Sequence, residues 1–260
     1  MEIPYYQVNA FTTSRFGGNP AGVCPLEDWL ADEQMQAIAA ENNLSETAFL
    51  VRKGGTYELR WFTPKIEVDL CGHATLASAF VILNYLDESA ASVEFTTKGG
   101  ALTVERDGEL LLMDFPAWEV RRTSTPEQLL KALRHEPKEV WCSERDYLAV
   151  YESEENIQLL KPNFDQLNNL DRLAVCVTAP GRKSDFVSRF FAPRGGIDED
   201  PVTGSSHCEL IPFWSKRLRK KQLHALQLSR RGGEVFCEAL GERVRIAGHA
   251  VVYLRGVINI

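Results

Sequence analysis

The sequence predicts an α+β protein of two similar halves, each a set of short strands around one apolar helix. Three observations lead there. First, one pattern occurs twice. Phe62-Thr63-Pro64 precedes acidic Glu67 and Asp69, and then Gly72-His73-Ala74-Thr75 opens an apolar run. Phe191-Ala192-Pro193 precedes Asp198, Glu199 and Asp200, and then Gly204-Ser205-Ser206-His207 opens another. Each copy reads as a strand end, an acidic turn, a glycine and a helix start. Second, strand-like segments cluster instead of alternating with helices, so a doubly wound parallel sheet fits poorly. Third, the 260 residues suffice for two domains of ordinary size. Two such copies suggest an approximate twofold, with helix N-termini and carboxylates facing a cleft.

The elements follow in order. Residues 3–11 read as a strand, and the glycine-rich run 14–22 as a tight loop. Residues 32–42 place Met35, Ile38 and Ala39 at helical spacing. Residues 47–51 and 56–63 read as strands. The run 72–86 is apolar nearly all round, so it predicts a buried helix. Short strands follow at 93–97, 101–105 and 110–115, the last pair turning at Asp107-Gly108. A second series begins near Pro116. Its predicted helix at 126–133 has Pro126 at the first helical position. Strands are expected at 140–142, 147–151, 173–178 and 185–192. The second buried helix spans 205–218 and should kink at Pro212. Strands at 226–229, 234–238, 243–246 and 250–254 finish the chain.

Composition excludes several functions. The net charge of −7 argues against nucleic acid as the main partner, because phosphate binding needs a basic surface. The N-terminus has no basic and apolar leader pattern, and the longest apolar stretch, 74–83, is too short to span a bilayer. The six scattered cysteines form no CxxC pair, which fits a reducing, cytoplasmic setting better than a disulfide framework. No HxxxH or HExxH spacing points to a metal. The run Gly17-Gly18-Asn19-Pro20-Ala21-Gly22 is not a dinucleotide loop, because Pro20 breaks it.

The remaining residues bear on proton chemistry. Glu46 lies among Leu44, Ala48 and Phe49. It reads either as a turn or cap residue, or as a carboxyl whose pKa desolvation raises into the range of a general acid/base. His73 follows Gly72 at a helix start, where free amides attract an anion and favour a neutral imidazole. A capping or core histidine is the alternative. Asp200 precedes Pro201 and reads either as a turn former or as a site residue in the second copy. Gly72 and Gly204 permit close approach of the backbone to a ligand. Cys71, at a helix start, reads as a reactive thiol or as a buried structural cysteine. Its counterpart is Thr203, so the thiol is not duplicated. Gln227, Ser229 and Arg230-Arg231-Gly232-Gly233 read as a contact to an anion or to the other domain, or as a solvated hairpin.

Six blocks carry a resemblance: FGGNPAGV at 16–23, LSETAFL at 44–50, RWFTP at 60–64, DLCGHAT at 69–75, EDPVTGSSH at 199–207 and QLSRRGG at 227–233. Together they resemble the phenazine-biosynthesis PhzF-like isomerases. The resemblance implies a diaminopimelate epimerase-like fold, two pseudo-symmetric domains each with a mixed sheet wrapped around a central helix. The domains are expected at 1–117 and 118–260, with the strand near 250–260 packing on the first. It further implies a homodimer and isomerisation of a small anionic metabolite without cofactor or metal. Glu46, His73 and Asp200 match the catalytic positions, with Glu46 as the proton carrier. Asn19, Gly72, Gly204 and Ser205 are the substrate-binding candidates, the glycines through the free amides of the helix starts. The related epimerases pair two cysteines before the helix glycines; here Thr203 replaces the second, which disfavours a two-thiol mechanism. A racemase using Cys71 opposite Glu46, and a non-catalytic binding protein of the same fold, are the rivals.

Overall fold

A computed structural model describes all residues, 1–260. In chain order the elements are β1 (Glu2–Ala10), β2 (Asn19–Leu26), α1 (Asp32–Asn42), β3 (Glu46–Lys53), β4 (Thr56–Phe62), β5 (Glu67–Val68) and α2 (Gly72–Val81). Then come β6 (Ser92–Thr97), β7 (Gly100–Asp107), β8 (Leu110–Pro116), β9 (Arg121–Thr123), α3 (Glu127–Leu133), β10 (Glu139–Cys142) and β11 (Asp146–Val150). The chain ends with α4 (Glu154–Leu159), α5 (Phe164–Leu167), β12 (Ala174–Pro180), β13 (Phe186–Ala192), β14 (Ile197–Asp200), α6 (Gly204–Leu218), β15 (Gln222–Gln227), β16 (Gly233–Ala239), β17 (Arg243–Gly248) and β18 (Ala250–Asn259). Two compact units form, Met1–Asp114 with Ala247–Ile260, and Phe115–Ile246.

Both units use one strand grammar. In the first, β18 and β1 are antiparallel, as are β1 and β2. The pair β2–β3 is parallel, β3–β4 antiparallel, β4–β6 parallel and β6–β7 antiparallel, with short β5 folded back on β4. In the second, β9–β10 and β10–β11 are antiparallel, β11–β12 parallel, β12–β13 antiparallel, β13–β15 parallel and β15–β16 antiparallel. Short β14 folds back on β13 as β5 does on β4.

Burial follows from this layering. Helix α1 packs on β3 and β4, while α2 packs on β1, β2 and β3. With a helix on each face, β2 and β3 are apolar on both faces rather than alternating. Of the ten residues of α2, eight are buried. Its polar members bond back to the helix: Thr75 Oγ1 donates to the Cys71 carbonyl at 2.6 Å and Ser78 Oγ to that of Ala74 at 2.7 Å. The chain then continues through one wider π turn, Ile82–Leu86.

The duplicated motif builds the same brace twice. Arg60 grips Glu67 with two bonds, 2.7 and 3.0 Å, and lies 5.2 Å over the Phe62 ring. Arg189 grips Glu199 at 2.7 and 2.9 Å and lies 4.9 Å over Phe191. Each brace ties the acidic turn to the strand before it, through a planar bidentate pair.

Several expectations change. Residues 19–26 form β2, not part of a loop. Gly18, at φ +65°, turns the chain so that β2 pairs with β1, and a Cβ there would meet the Ala10 carbonyl at 2.2 Å. Pro20 is tolerated near the start of that strand. Pro126 is the N-cap residue of α3 rather than its first helical residue. The strand expected at 226–229 is Gln222–Gln227. Helices α4 and α5 have too few residues for a periodic signal. They form on side-chain caps, Ser153 with Asn156 and Asn163 with Gln166. Helix α6 runs through Pro212, whose missing N–H leaves the Cys208 carbonyl without its intrahelical donor. The backbone N–H of Trp118 donates to that carbonyl instead, at 2.9 Å.

Candidate active site

In the first unit, strand β3 begins at Glu46, and its parallel register with β2 sets Glu46 beside Ala21. The helix start at Gly72 sets His73 against it: His73 Nε2 lies 3.2 Å from Glu46 Oε2. Both side chains are nearly enclosed, 6% and 13% exposed. The other ring nitrogen, Nδ1, lies 3.4 Å from Cys71 Sγ. Burial drives the His73 pKa down to about 3, against a smaller opposing effect of the hydrogen bond to the Pro20 backbone. The imidazole is therefore neutral at physiological pH. Asn19 is fully buried at the first position of β2, next to Pro20. The structure thus brings Glu46, Cys71 and His73 together.

The donor atoms of Glu46, Cys71 and His73 lie within 4.8 Å of one another, close enough to interest a metal ion. Carboxylate and thiol, however, address different nitrogens of one ring.

In the second unit, Asp200 ends β14 and accepts a hydrogen bond from Thr203 Oγ1. Gln227 is 1% exposed and clamps this turn. Its Oε1 accepts from the Thr203 amide at 2.9 Å, and its Nε2 donates to the Asp200 carbonyl at 2.8 Å. Ser229 Oγ donates to the Pro201 carbonyl at 2.7 Å. The QLS block is thus neither a solvated hairpin nor free to reach an anion; it holds the turn that carries Asp200. Ser205 accepts from Arg145 Nη2 at 2.9 Å. No side chain caps either α2 or α6 at the N-terminus, so neither Cys71 nor Thr203 satisfies the first-turn amides after Gly72 and Gly204. His207 is structural: its Nδ1–H donates to the Thr203 carbonyl at 2.8 Å, as Thr75 does to Cys71.

Sequence reasoning missed Arg145, Asp146 and Glu209, a charged group at α6 whose two acids are fully buried and whose arginine is 33% exposed. Arg145 Nε donates to Asp146 Oδ2 at 2.9 Å. Glu209 is fully buried, and burial, then the Asp146 charge, push its pKa up to about 8. None belongs to a motif, because residues 145 and 209 are far apart in the chain and come together only in the folded unit. The one available signal was the pair Arg60 and Arg189, two residues before each motif phenylalanine, which aligns the strands of the two halves.

Comparison with known proteins gives the family and the fold. The family model for phenazine biosynthesis-like proteins (PhzC-PhzF) matches residues 8–256. Two uncharacterized isomerases of Pseudomonas aeruginosa are 50% and 51% identical, with 100% of each chain covered. The crystal structure of a PhzF-family protein from Enterococcus faecalis superposes with a TM-score of 0.98 at 46% identity, covering 100% of both chains. A hydroxyproline epimerase of Agrobacterium vitis shares the fold alone, with a TM-score of 0.59 at 9% identity over 99% of this chain and 91% of its own. No helix is long and apolar enough to cross a membrane. With a buried glutamate–histidine pair at the start of its first central helix and a family match over nearly its whole length, the chain belongs to the phenazine biosynthesis-like (PhzC-PhzF) family.

Proposed function

We propose that the protein is a cofactor-independent isomerase that moves a proton on a small, cyclic, carboxylate-bearing substrate. Glu46 acts as general base and then as general acid. The 3.2 Å approach of Glu46 Oε2 to His73 Nε2, at an uncapped helix start, carries this reading. Relatives of about half-identical sequence carry the name isomerase.

The steps balance on one carboxyl group. The Glu46 carboxylate takes a proton from a substrate carbon, and the freed electron pair spreads toward the substrate carboxylate. First-turn amides at Gly72 and His73 stabilise that developing negative charge. The protonated Glu46 then returns the proton to another carbon. His73 stays neutral and lies against Glu46, so it packs beside that side chain without neutralising it. In the second unit, Asp200 is assigned to hold a polar substituent, and the Gly204 and Ser205 amides to bind an anionic group.

The geometry disfavours a racemase that uses Cys71 opposite Glu46. Two bases acting on opposite faces of one carbon, each about 3–3.5 Å from it, stand roughly 6–7 Å apart. The Cys71, His73 and Glu46 donor atoms lie within 4.8 Å of one another. That spacing suits delivery and return of a proton on one face.

Solvent-deuterium incorporation into a panel of cyclic carboxylates, read by mass spectrometry, tests both points. Glu46→Gln should lower exchange by about 10²–10⁴-fold. An undiminished rate would remove Glu46 as the base. Cys71→Ser should cost much less, and a loss as deep as that of Glu46→Gln would favour the thiol mechanism instead. The resemblance also assigns a homodimer, and light scattering should give twice the mass of the chain.

A further inference from the structure

The shared strand grammar allows residue-by-residue comparison of the two units. Thr47 pairs with Phe62 and Val175 with Phe191, so Glu46 corresponds to Ala174. Ala21 lies beside Glu46 and Asp146 beside Ala174, so the preceding residues, Pro20 and Arg145, also correspond. His73 and Ser205 each follow the helix glycine. In the first unit the Pro20 backbone meets the His73 ring. At the same place in the second, the Arg145 guanidinium donates to Ser205 Oγ at 2.9 Å. The second unit therefore has no carboxylate at the place of Glu46; its own, Asp200, comes from the acidic turn. The place of Pro20 is taken by a cation, Arg145.

We propose that Arg145 is a positioning residue for the anion cradle at the start of α6: by holding the Ser205 hydroxyl, it fixes the first-turn amides of that helix toward a substrate carboxylate. The inference rests on the proposed role of Gly204 and Ser205.

Arg145 is held by several partners, although its side chain is 33% exposed. Its Nε donates to Asp146, which is fully buried. Its guanidinium lies 5.0 Å from the centre of the Trp118 ring and 6.0 Å from that of Phe190. Phe190 pairs in register with Asp200. Trp118 is pinned in turn, because its amide takes the Cys208 carbonyl that Pro212 leaves free. The proline inside α6 thus helps hold the ring on which the arginine stacks. Glu209, buried against Asp146, adds a second acid to a group with one arginine. With Glu209 protonated the cluster is neutral, and Arg145 keeps its two directed bonds. Such a fork-shaped contact needs a guanidinium, because an ammonium offers no fixed pair of donors.

Isothermal titration with benzoate, a planar carboxylate, and benzamide, its uncharged analogue, tests this on the full chain. Wild type should bind benzoate more tightly than benzamide. Arg145→Met should weaken benzoate by about tenfold, and Ser205→Ala by a similar factor, each leaving benzamide unchanged. The double variant should bind no more weakly than Arg145→Met alone, since both changes cut one link. Ser205→Ala leaves the Arg145–Asp146 pair intact, so it reports even if Arg145→Met folds poorly. Unchanged benzoate affinity in Ser205→Ala, additive losses, or equal weakening of benzamide would overturn the positioning role and leave the proposed function standing. A wild type that does not prefer benzoate would overturn the anion cradle itself, and this inference with it.

Discussion

At its helix start the first unit sets a strand glutamate, and the second sets an alanine at that place and an arginine just before the neighbouring strand, although both are built on the same strands. Glu46 opens β3 and meets His73; Ala174 opens β12 and has no ionisable side chain of its own. Arg145 reaches Ser205 where, in the first unit, only a proline backbone reaches His73. The braces Arg60–Glu67 and Arg189–Glu199 are alike to within 0.1 Å in their bond lengths. Duplication is thus preserved where it holds the acidic turns and lost where chemistry is proposed. Residues that differ between equivalent places are the ones to suspect of function, and residues that agree are chiefly architecture.

The largest expected effect comes from making the first unit resemble the second. Glu46→Ala should abolish solvent-deuterium exchange as fully as Glu46→Gln does, and residual exchange in the alanine variant alone would implicate water as a substitute base. Asp200→Asn keeps the shape of the turn but removes its charge, and should lower exchange by about 10–100-fold. An undiminished rate would reduce Asp200 to a turn former, as its place before Pro201 also allows.

The two braces should differ in stability although they look alike. Arg189 also donates to the carbonyls of Ile157 and Leu160 at 3.0 and 2.9 Å, closing the end of α4. The extra partner of Arg60 is Asp32, whose side chain is 69% exposed. Arg189→Met should therefore destabilise by about 3 kcal/mol and Arg60→Met by about 1–2 kcal/mol, as read by urea unfolding. Equal losses would mean that the carbonyl bonds add little.

A smaller effect should appear with pH. Burial lowers the His73 pKa to about 3 and that of His207 to about 4, from 6.5 when unfolded. The unfolded chain then binds these protons first, so their stabilisation is complete above pH 6.5 and is lost as pH falls toward 4 and 3. Glu67, held near 2 by its hydrogen bonds from Arg60, adds a loss below its unfolded value of about 4.5. Thermal melts should decline from pH 6.5 downward. His207→Gln should flatten the part between 6.5 and 4, and an unaltered slope would show that His207 titrates alike in both states.

Much of this was legible in order along the chain. The repeated Phe-x-Pro, acidic turn and glycine-led helix marked α2 and α6, because a helix apolar on all sides has to be buried. Glu46, His73 and Asp200 stood out through matched blocks, and the apolar run after Gly72 foretold the enclosed position of His73. Strand β2 was hidden by its glycines and Pro20, whose local preference for turns yields to pairing with β1 and β3 on either side. The clamp by Gln227 was hidden for a different reason. A glutamine before a basic, glycine-rich turn looks solvated until the parallel packing of β15 on β13 sets it under residues 200–203.

What the sequence by itself determined is the inventory: two like halves, one glutamate with no duplicate, one histidine and one thiol at a single helix start. Local pattern suffices for this, since helix starts, turns and apolar faces depend on neighbours a few residues away. Only the tertiary structure decided that Glu46 and Cys71 address the two nitrogens of one imidazole, and that Arg145 stands where the first unit has Pro20. Those facts depend on strand register, and register depends on contacts between segments far apart in the chain, which no local pattern encodes.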